Sequence, residues 1–332
     1  MNSEEKNLKL KLLTVSPSPH IRGNNSTAKI MLTVIIALVP AVFAGCLIFG
    51  YRALTVILIT IISCLVFERL FDLITRRPNT IGDFSAFLTG LLLGMNLPSS
   101  VPYYIPVIGA FVAIVIVKCL FGGIGQNFAN PAIAARIILA VCFAGQMGNF
   151  AVPVKSFTTF DAVTAPTPLS AEYFTVGTDK VLPFTLTDML YGTTGGTIGE
   201  TCAIALIIGG VILIIAKIIT PTIPLSFIGT VFILTFLYTG SIDETIYYTL
   251  AGGLMLGAFF MATDYTTSPL TERGKLIFGI GCGLITFVIR FFTKMPEGVS
   301  FSILLMNLLT PLIDDIMLTH PIGMKKIKRV KE

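Results

Sequence analysis

Ten apolar runs divide this chain, most of them roughly 17 to 22 residues long, enough to cross a bilayer core of about 30 Å as helices. They fall at approximately 29–49, 53–74, 82–97, 103–120, 130–150, 200–219, 223–240, 246–263, 275–292 and 299–318. Runs of that length leave little room for a water-soluble fold, which needs a charged shell. Only 12% of the 332 residues are charged and 54% are hydrophobic, against roughly a quarter charged in an ordinary soluble domain. Membrane-crossing strands would be short and alternating, and these runs are neither. The expected fold class is an all-α polytopic membrane protein of about ten transmembrane helices.

An even number of crossings puts both termini on one side. If that side is cytoplasmic, 18 of the 23 basic residues lie inside, Lys118 and Arg136 among them, and only Arg52, Lys155, Lys180, Arg290 and Lys294 lie outside. That split obeys the positive-inside rule. The organisation expected is a cytoplasmic segment 1–28, a five-helix half 29–150, one long extracytoplasmic loop 151–199, a second five-helix half 200–318 and a basic cytoplasmic tail 319–332. Two five-helix repeats about the loop fit the way many transport folds are built. The first run follows a polar stretch and has no A-x-A-like cleavage site after it, so it reads as a retained helix. The net charge of +5 reflects topology, and the tail Lys325–Lys331 reads as a topology determinant or headgroup contact, with no nucleic acid as partner.

The six cysteines stand singly in or beside apolar runs, without CxxC spacing, so neither a zinc site nor a disulfide framework is indicated. They read as small buried hydrophobes, with an iron–sulfur ligand shared across a subunit boundary as the alternative. Chemistry is sought in three polar segments. The first, Phe160–Leu169, sets Asp161, Thr164 and Thr167 in a small-residue stretch where prolines on both sides of Thr167 keep it out of helix. It also reads as a plain surface loop. The second, Gly122 to Ala132, has Gly122 and Gly123 for close backbone approach and the amides Asn127 and Asn130, with Pro131 suited to a first helical turn. It is equally a tight turn with capping asparagines. The third, Ala262 to Thr271, sets Asp264 among hydroxyl residues at a membrane boundary. Intramembrane carboxylates default to functional candidates, yet Asp264 can also cap the next helix or pair with Arg273. Asp314 and Asp315 are candidates for a cation path or for simple solvation.

These segments, with Ser18-Pro19-His20-Ile21-Arg22 before the first run, resemble in order the D subunit of the Rnf electron-transport complex. That protein is related to the B subunit of the sodium-pumping NADH:quinone reductase. The resemblance covers essentially the whole chain. It implies that FMN is esterified through its phosphate to a threonine in an S-G-A-T-like segment by a separate flavin transferase. By position that residue is Thr167, with Thr164 its close competitor and Pro166 a departure from the commoner pattern. The resemblance also implies a second, noncovalent flavin, riboflavin in the related reductase, near Asn127 and Asn130. It implies a complex in the bacterial or archaeal cell membrane that passes electrons between ferredoxin and NAD+ while moving Na+ or H+. Partner subunits in that complex include a second covalent flavoprotein and iron–sulfur subunits. This chain has no dinucleotide fingerprint and no cluster-binding cysteine set, so partners must supply those steps. Rival readings are a channel or secondary transporter, which would lack covalent flavin, a scaffold for redox partners, and the quinone-reducing relative's B subunit.

Overall fold

The computed structural model describes residues 26–77, 80–153, 167–169, 184–293 and 298–317. All ten apolar runs are helical in whole or in large part, and the chain is a multi-pass membrane protein. Five helices are long and apolar enough to cross a bilayer: α1 (Thr27–Phe49) and α2 (Tyr51–Thr75) in the first half, with three more in the second. The rest are shorter. After α2 come α3 (Ser85–Met95), α4 (Tyr104–Cys119) and α5 (Pro131–Cys142). The second half holds α6 (Leu186–Tyr191), α7 (Ala203–Ile215), α8 (Thr222–Thr239), α9 (Ile242–Leu250), α10 (Glu272–Phe292) and α11 (Val299–Met317).

The helices α3, α5 and α7 have 11, 12 and 13 residues, which at 1.5 Å per residue gives roughly 17 to 20 Å each. They are too short to cross, so their ends stop inside the bundle. Backbone groups freed there must find partners within the protein. The sequence provides for this. Pro98 cannot extend α3, and the segment 195–201, rich in glycine and threonine, lies against the residues that follow α3. Ile198 N donates to Leu97 O (3.1 Å) and Gly199 N to Met95 O (2.7 Å). The broken end of α3 and the lead-in to α7 therefore satisfy each other, although they are about a hundred residues apart in sequence.

Close packing elsewhere relies on small residues, as expected where lipid offers no hydrophobic drive. A Cβ on Gly90 would fall 2.8 Å from Ile61 Cα, and one on Gly209 would fall 2.3 Å from Ala37 O. These glycines let α3 meet α2 and α7 meet α1 backbone to backbone. The eighth apolar run is interrupted: α9 ends at Leu250, Gly252 takes φ +66°, and the chain re-enters helix as Leu254–Leu256 and the widened turn Gly257–Met261. A similar i→i+5 widening ends α4 at Val112–Cys119. Such bulges often accompany functional sites, and both border the larger cavity described below.

Three charges counted as topological signals are internal. Lys118, Arg136 and Arg290 are 2%, 3% and 2% exposed, because each is held by acceptors inside the bundle, whereas the positive-inside rule concerns loops and helix ends. Arg76, the left-handed cap of α2, donates its backbone N–H to Asp72 O, while the Asp72 carboxylate accepts from the backbone and hydroxyl of Thr80 at 3.2 and 3.1 Å. The segment before Ser26, the tail and most of the long loop, including Asp161 and Thr164, lie outside the described residues.

Candidate functional site

Two cavities lie on opposite sides of the bundle. The larger opens at the end where α1 starts, takes in about 790 Å³ of space with the open solvent at its mouth, and has walls from α1, α3, α4, α5 and the connection before α10. Most of its lining is apolar. Its polar groups are Lys118, Ser85, Asn127, Asn130, Asp264 and neighbouring threonines. Lys118 Nζ donates to Glu68 Oε1 (2.6 Å) and to Ser85 Oγ (2.5 Å), and Thr80 Oγ1 also donates to Glu68 Oε1 (3.0 Å). A cation thus faces the cavity with its counter-ion behind it.

The structure brings Asn127, Asn130 and Asp264 to one cavity, from segments distant in sequence. Their states differ. Asn130 is the cap of α5: its Oδ1 accepts from Ala132 N (3.0 Å) and its Nδ2 donates to Met261 O (3.2 Å), so this side chain is already engaged in holding the wall. Asn127 Oδ1 is buried without a protein partner, and a buried acceptor left alone costs on the order of 1 to 3 kcal/mol. It calls for a donor from something in the cavity. Asp264 accepts from Thr266 Oγ1 (3.0 Å) and Thr267 Oγ1 (3.4 Å), a local turn that aims the carboxylate at the cavity. Burial pushes its carboxyl above the ordinary range, with the two threonine hydroxyls pulling the other way. It does not cap α10, whose cap is Thr271, with Oγ1 accepting from Gly274 N at 3.0 Å.

Gly122 and Gly123 do not line the cavity. They have φ of +119° and +98°, conformations that glycine adopts without steric cost, and they turn the chain from α4 towards Asn127. Asp314 Oδ1 accepts from Leu270 N (3.0 Å), which ties α11 to the connection bearing Asp264; Asp315 is exposed. Neither reaches the cavity lining.

The second cavity, a narrow one of about 400 Å³ with the open solvent at its mouth, lies at the opposite end and is lined by Thr167 together with Thr194, Gly195, Gly196, Glu200 and Gly252. Thr167 is 9% exposed, so it is no free loop residue. It is anchored by its neighbours: Leu169 packs with Met189, Tyr247 and Tyr248, and Tyr247 Oη donates to Pro168 O (3.4 Å). Two guanidiniums stand behind the wall. Arg136 pairs with Glu200 at 2.9 Å, and Arg290 donates to Tyr248 O (2.7 Å) and Ala251 O (3.1 Å). Hydroxyls and small residues stand at its centre, with Glu200 on the wall and the two guanidiniums behind it. The threonine hydroxyls of Thr167, Thr194 and Thr201 are the polar donors that line it.

The buried pairs Glu68–Lys118 and Arg136–Glu200 are not evident from sequence. The signal that points to them is a charged residue inside or at the edge of an apolar run, since such charges almost always turn inward and pair.

Together the broken helices, the inward charges and a cavity at each end define a polytopic membrane protein with polar groups buried within its bundle. The profile of the family described as NQR2, RnfD, RnfE matches residues 14–323, and the chain belongs to that family. It is 46% identical over 320 residues to the D subunit of the Na(+)-translocating ferredoxin:NAD(+) oxidoreductase complex of Acetobacterium woodii, covering 96% of this chain and 97% of that one. It is 44% identical to the D subunit of the proton-translocating ferredoxin:NAD(+) oxidoreductase complex of Clostridium ljungdahlii, covering 96% and 98%. With the D subunit of the ion-translocating oxidoreductase complex of Rhodobacter capsulatus it shares 40% identity over 84% of this chain and 86% of the relative.

Proposed function

We propose that this chain is the membrane flavoprotein subunit of an ion-translocating ferredoxin:NAD+ oxidoreductase complex, holding FMN by a phosphoester at Thr167 and riboflavin in the larger cavity. Support for the complex comes from near full-length similarity to subunits named for that activity. Support for the attachment comes from one observation above the others: Thr167 is docked in a pocket of hydroxyls and glycines with two guanidiniums behind its wall. Bound flavins supply one- and two-electron transfer, and the protein's part is to position them and set their surroundings.

Thr167 provides the hydroxyl that a flavin transferase joins to phosphorus, so the chain needs no base of its own there. The larger cavity suits a flavin without phosphate. Among its lining residues and their ion partners, Glu68 and Asp264 outnumber Lys118, which disfavours an added anion, while the unpartnered Asn127 oxygen accepts an N–H from a heterocycle edge. Relatives of nearly equal identity are named for Na+ and for protons, so either ion is open to this chain. Coupling requires that the ion bind more tightly in one redox state than in the other.

The test is flavin fluorescence of the denatured chain in a gel after co-expression with its transferase. Wild type is expected to fluoresce and Thr167→Val to be dark. A dark wild-type band, or a bright variant, overturns the attachment.

A further inference from the structure

A chain of buried polar side chains links the wall of one cavity to the wall of the other across the bundle. Glu200 belongs to the wall of one cavity, while Leu92, Asn130 and Phe260 belong to the wall of the other. Between them stand Asn96, Met261, Arg136 and Ser300. Asn96 Nδ2 donates to Leu92 O (2.7 Å) and reaches Met261 Sδ (3.5 Å), and Asn130 Nδ2 donates to Met261 O (3.2 Å). Arg136 Nη1 donates to Asn96 Oδ1 (2.7 Å) and Ser300 Oγ (3.0 Å), and its Nη2 pairs with Glu200 Oε1 at 2.9 Å. Every one of these side chains is buried, with Asn96 at 0% and Arg136 at 3% exposure.

We infer that Arg136 is a cation barrier that seals the route between the two cavities. Discontinuous helices meeting near mid-depth are the device by which membrane transporters build solute sites. Here α3 stops at Met95, and the carbonyl end of a half-helix attracts cations. The guanidinium occupies that position. A fixed arginine beside half-helix ends excludes cations and protons from a pore, and its planar fork holds Asn96, Ser300 and Glu200 at once, which a lysine point charge does less well. Glu200 keeps the arginine in place and neutralises its cost. A chain that lies in a membrane with a cavity at each end needs such a closure whatever those cavities hold, so the inference is independent of flavin.

The purified full chain, reconstituted in liposomes without electron donor, is tested for passive ²²Na+ uptake and for collapse of an imposed pH gradient. Wild type is expected to match protein-free vesicles. Arg136→Ala, which leaves Glu200 facing an opened route, is expected to raise cation entry by about tenfold or more, a change of the size that about 1.4 kcal/mol of barrier makes. Arg136→Lys is expected to restore most of the tightness. The double variant Arg136→Gln, Glu200→Gln removes both charges without stranding a carboxylate, and it too is expected to pass cations. Vesicles tight with the double variant overturn the inference, whether or not Arg136→Ala folds. So does an equal rise in chloride flux, which marks a plain hole.

Discussion

The two cavities use the same parts with opposite polarity. Each has a buried ion pair at its wall, but the larger presents the cation, Lys118, and keeps Glu68 behind it, while the smaller presents the anion, Glu200, and keeps Arg136 behind it. Their surroundings then reverse the balance. Asp264 adds a carboxylate to the first and Arg290 adds a guanidinium beside the second. The first becomes an apolar slot with two carboxylates to one ammonium among its lining residues and their ion partners, and the second a small hydroxyl-lined pocket backed by two guanidiniums. A charge seen at a cavity wall therefore says little until its counter-ion and neighbours are counted.

Breaking either pair gives the largest expected effect. Lys118→Ala strands Glu68, 1% exposed, and removing one partner of a buried pair costs about 3 to 5 kcal/mol. Thermal unfolding in detergent should move sharply downward, and Glu68→Gln combined with Lys118→Met should recover much of the loss. If Lys118→Ala is as stable as wild type, the pair is not buried in the folded protein.

A sharper comparison comes from changes that touch one cavity alone. Asn127→Leu removes the unpartnered acceptor from the larger cavity and is expected to weaken binding of extractable flavin by about tenfold, near 1.4 kcal/mol, leaving the covalent band at Thr167 unchanged. Equal loss of both signals would mean that the two cavities do not act separately.

The smallest effect belongs to the support of the smaller cavity. Thr185 caps α6 through a reciprocal capping box with Asp188, and Met189 of that helix lines the pocket. Thr185→Ala should cost about 1 kcal/mol, read as faster proteolysis within 184–192 with flavin attachment retained.

Periodicity and length made the helices legible, because apolar runs of membrane length have few alternatives. The start of α5 was legible for a local reason as well: Asn130 caps it and Pro131 takes its first position. Its end was not. The run continues to residue 150, yet α5 stops at Cys142, and a short turn Ala144–Met147 follows. Nor could the sequence reveal that α3 and the lead-in to α7 join their broken ends, or that Arg136 and Glu200 pair from opposite halves of the chain. Those contacts satisfy groups stranded at depth, and their partners are chosen by the tertiary arrangement. At the site, the gathering of Asn127, Asn130 and Asp264 at one cavity was readable only as separate motifs. The glycines beside them shape the turn, which local backbone geometry decides.

The proposed function has two flavins held in two chemically different ways. Acid precipitation of the purified chain, followed by chromatography of the supernatant and fluorescence of the pellet, tests it most directly. Wild type is expected to release riboflavin and retain FMN, with Thr167→Val losing only the retained fraction. A pellet without flavin in wild type, or a variant that loses both fractions while remaining folded, would contradict it.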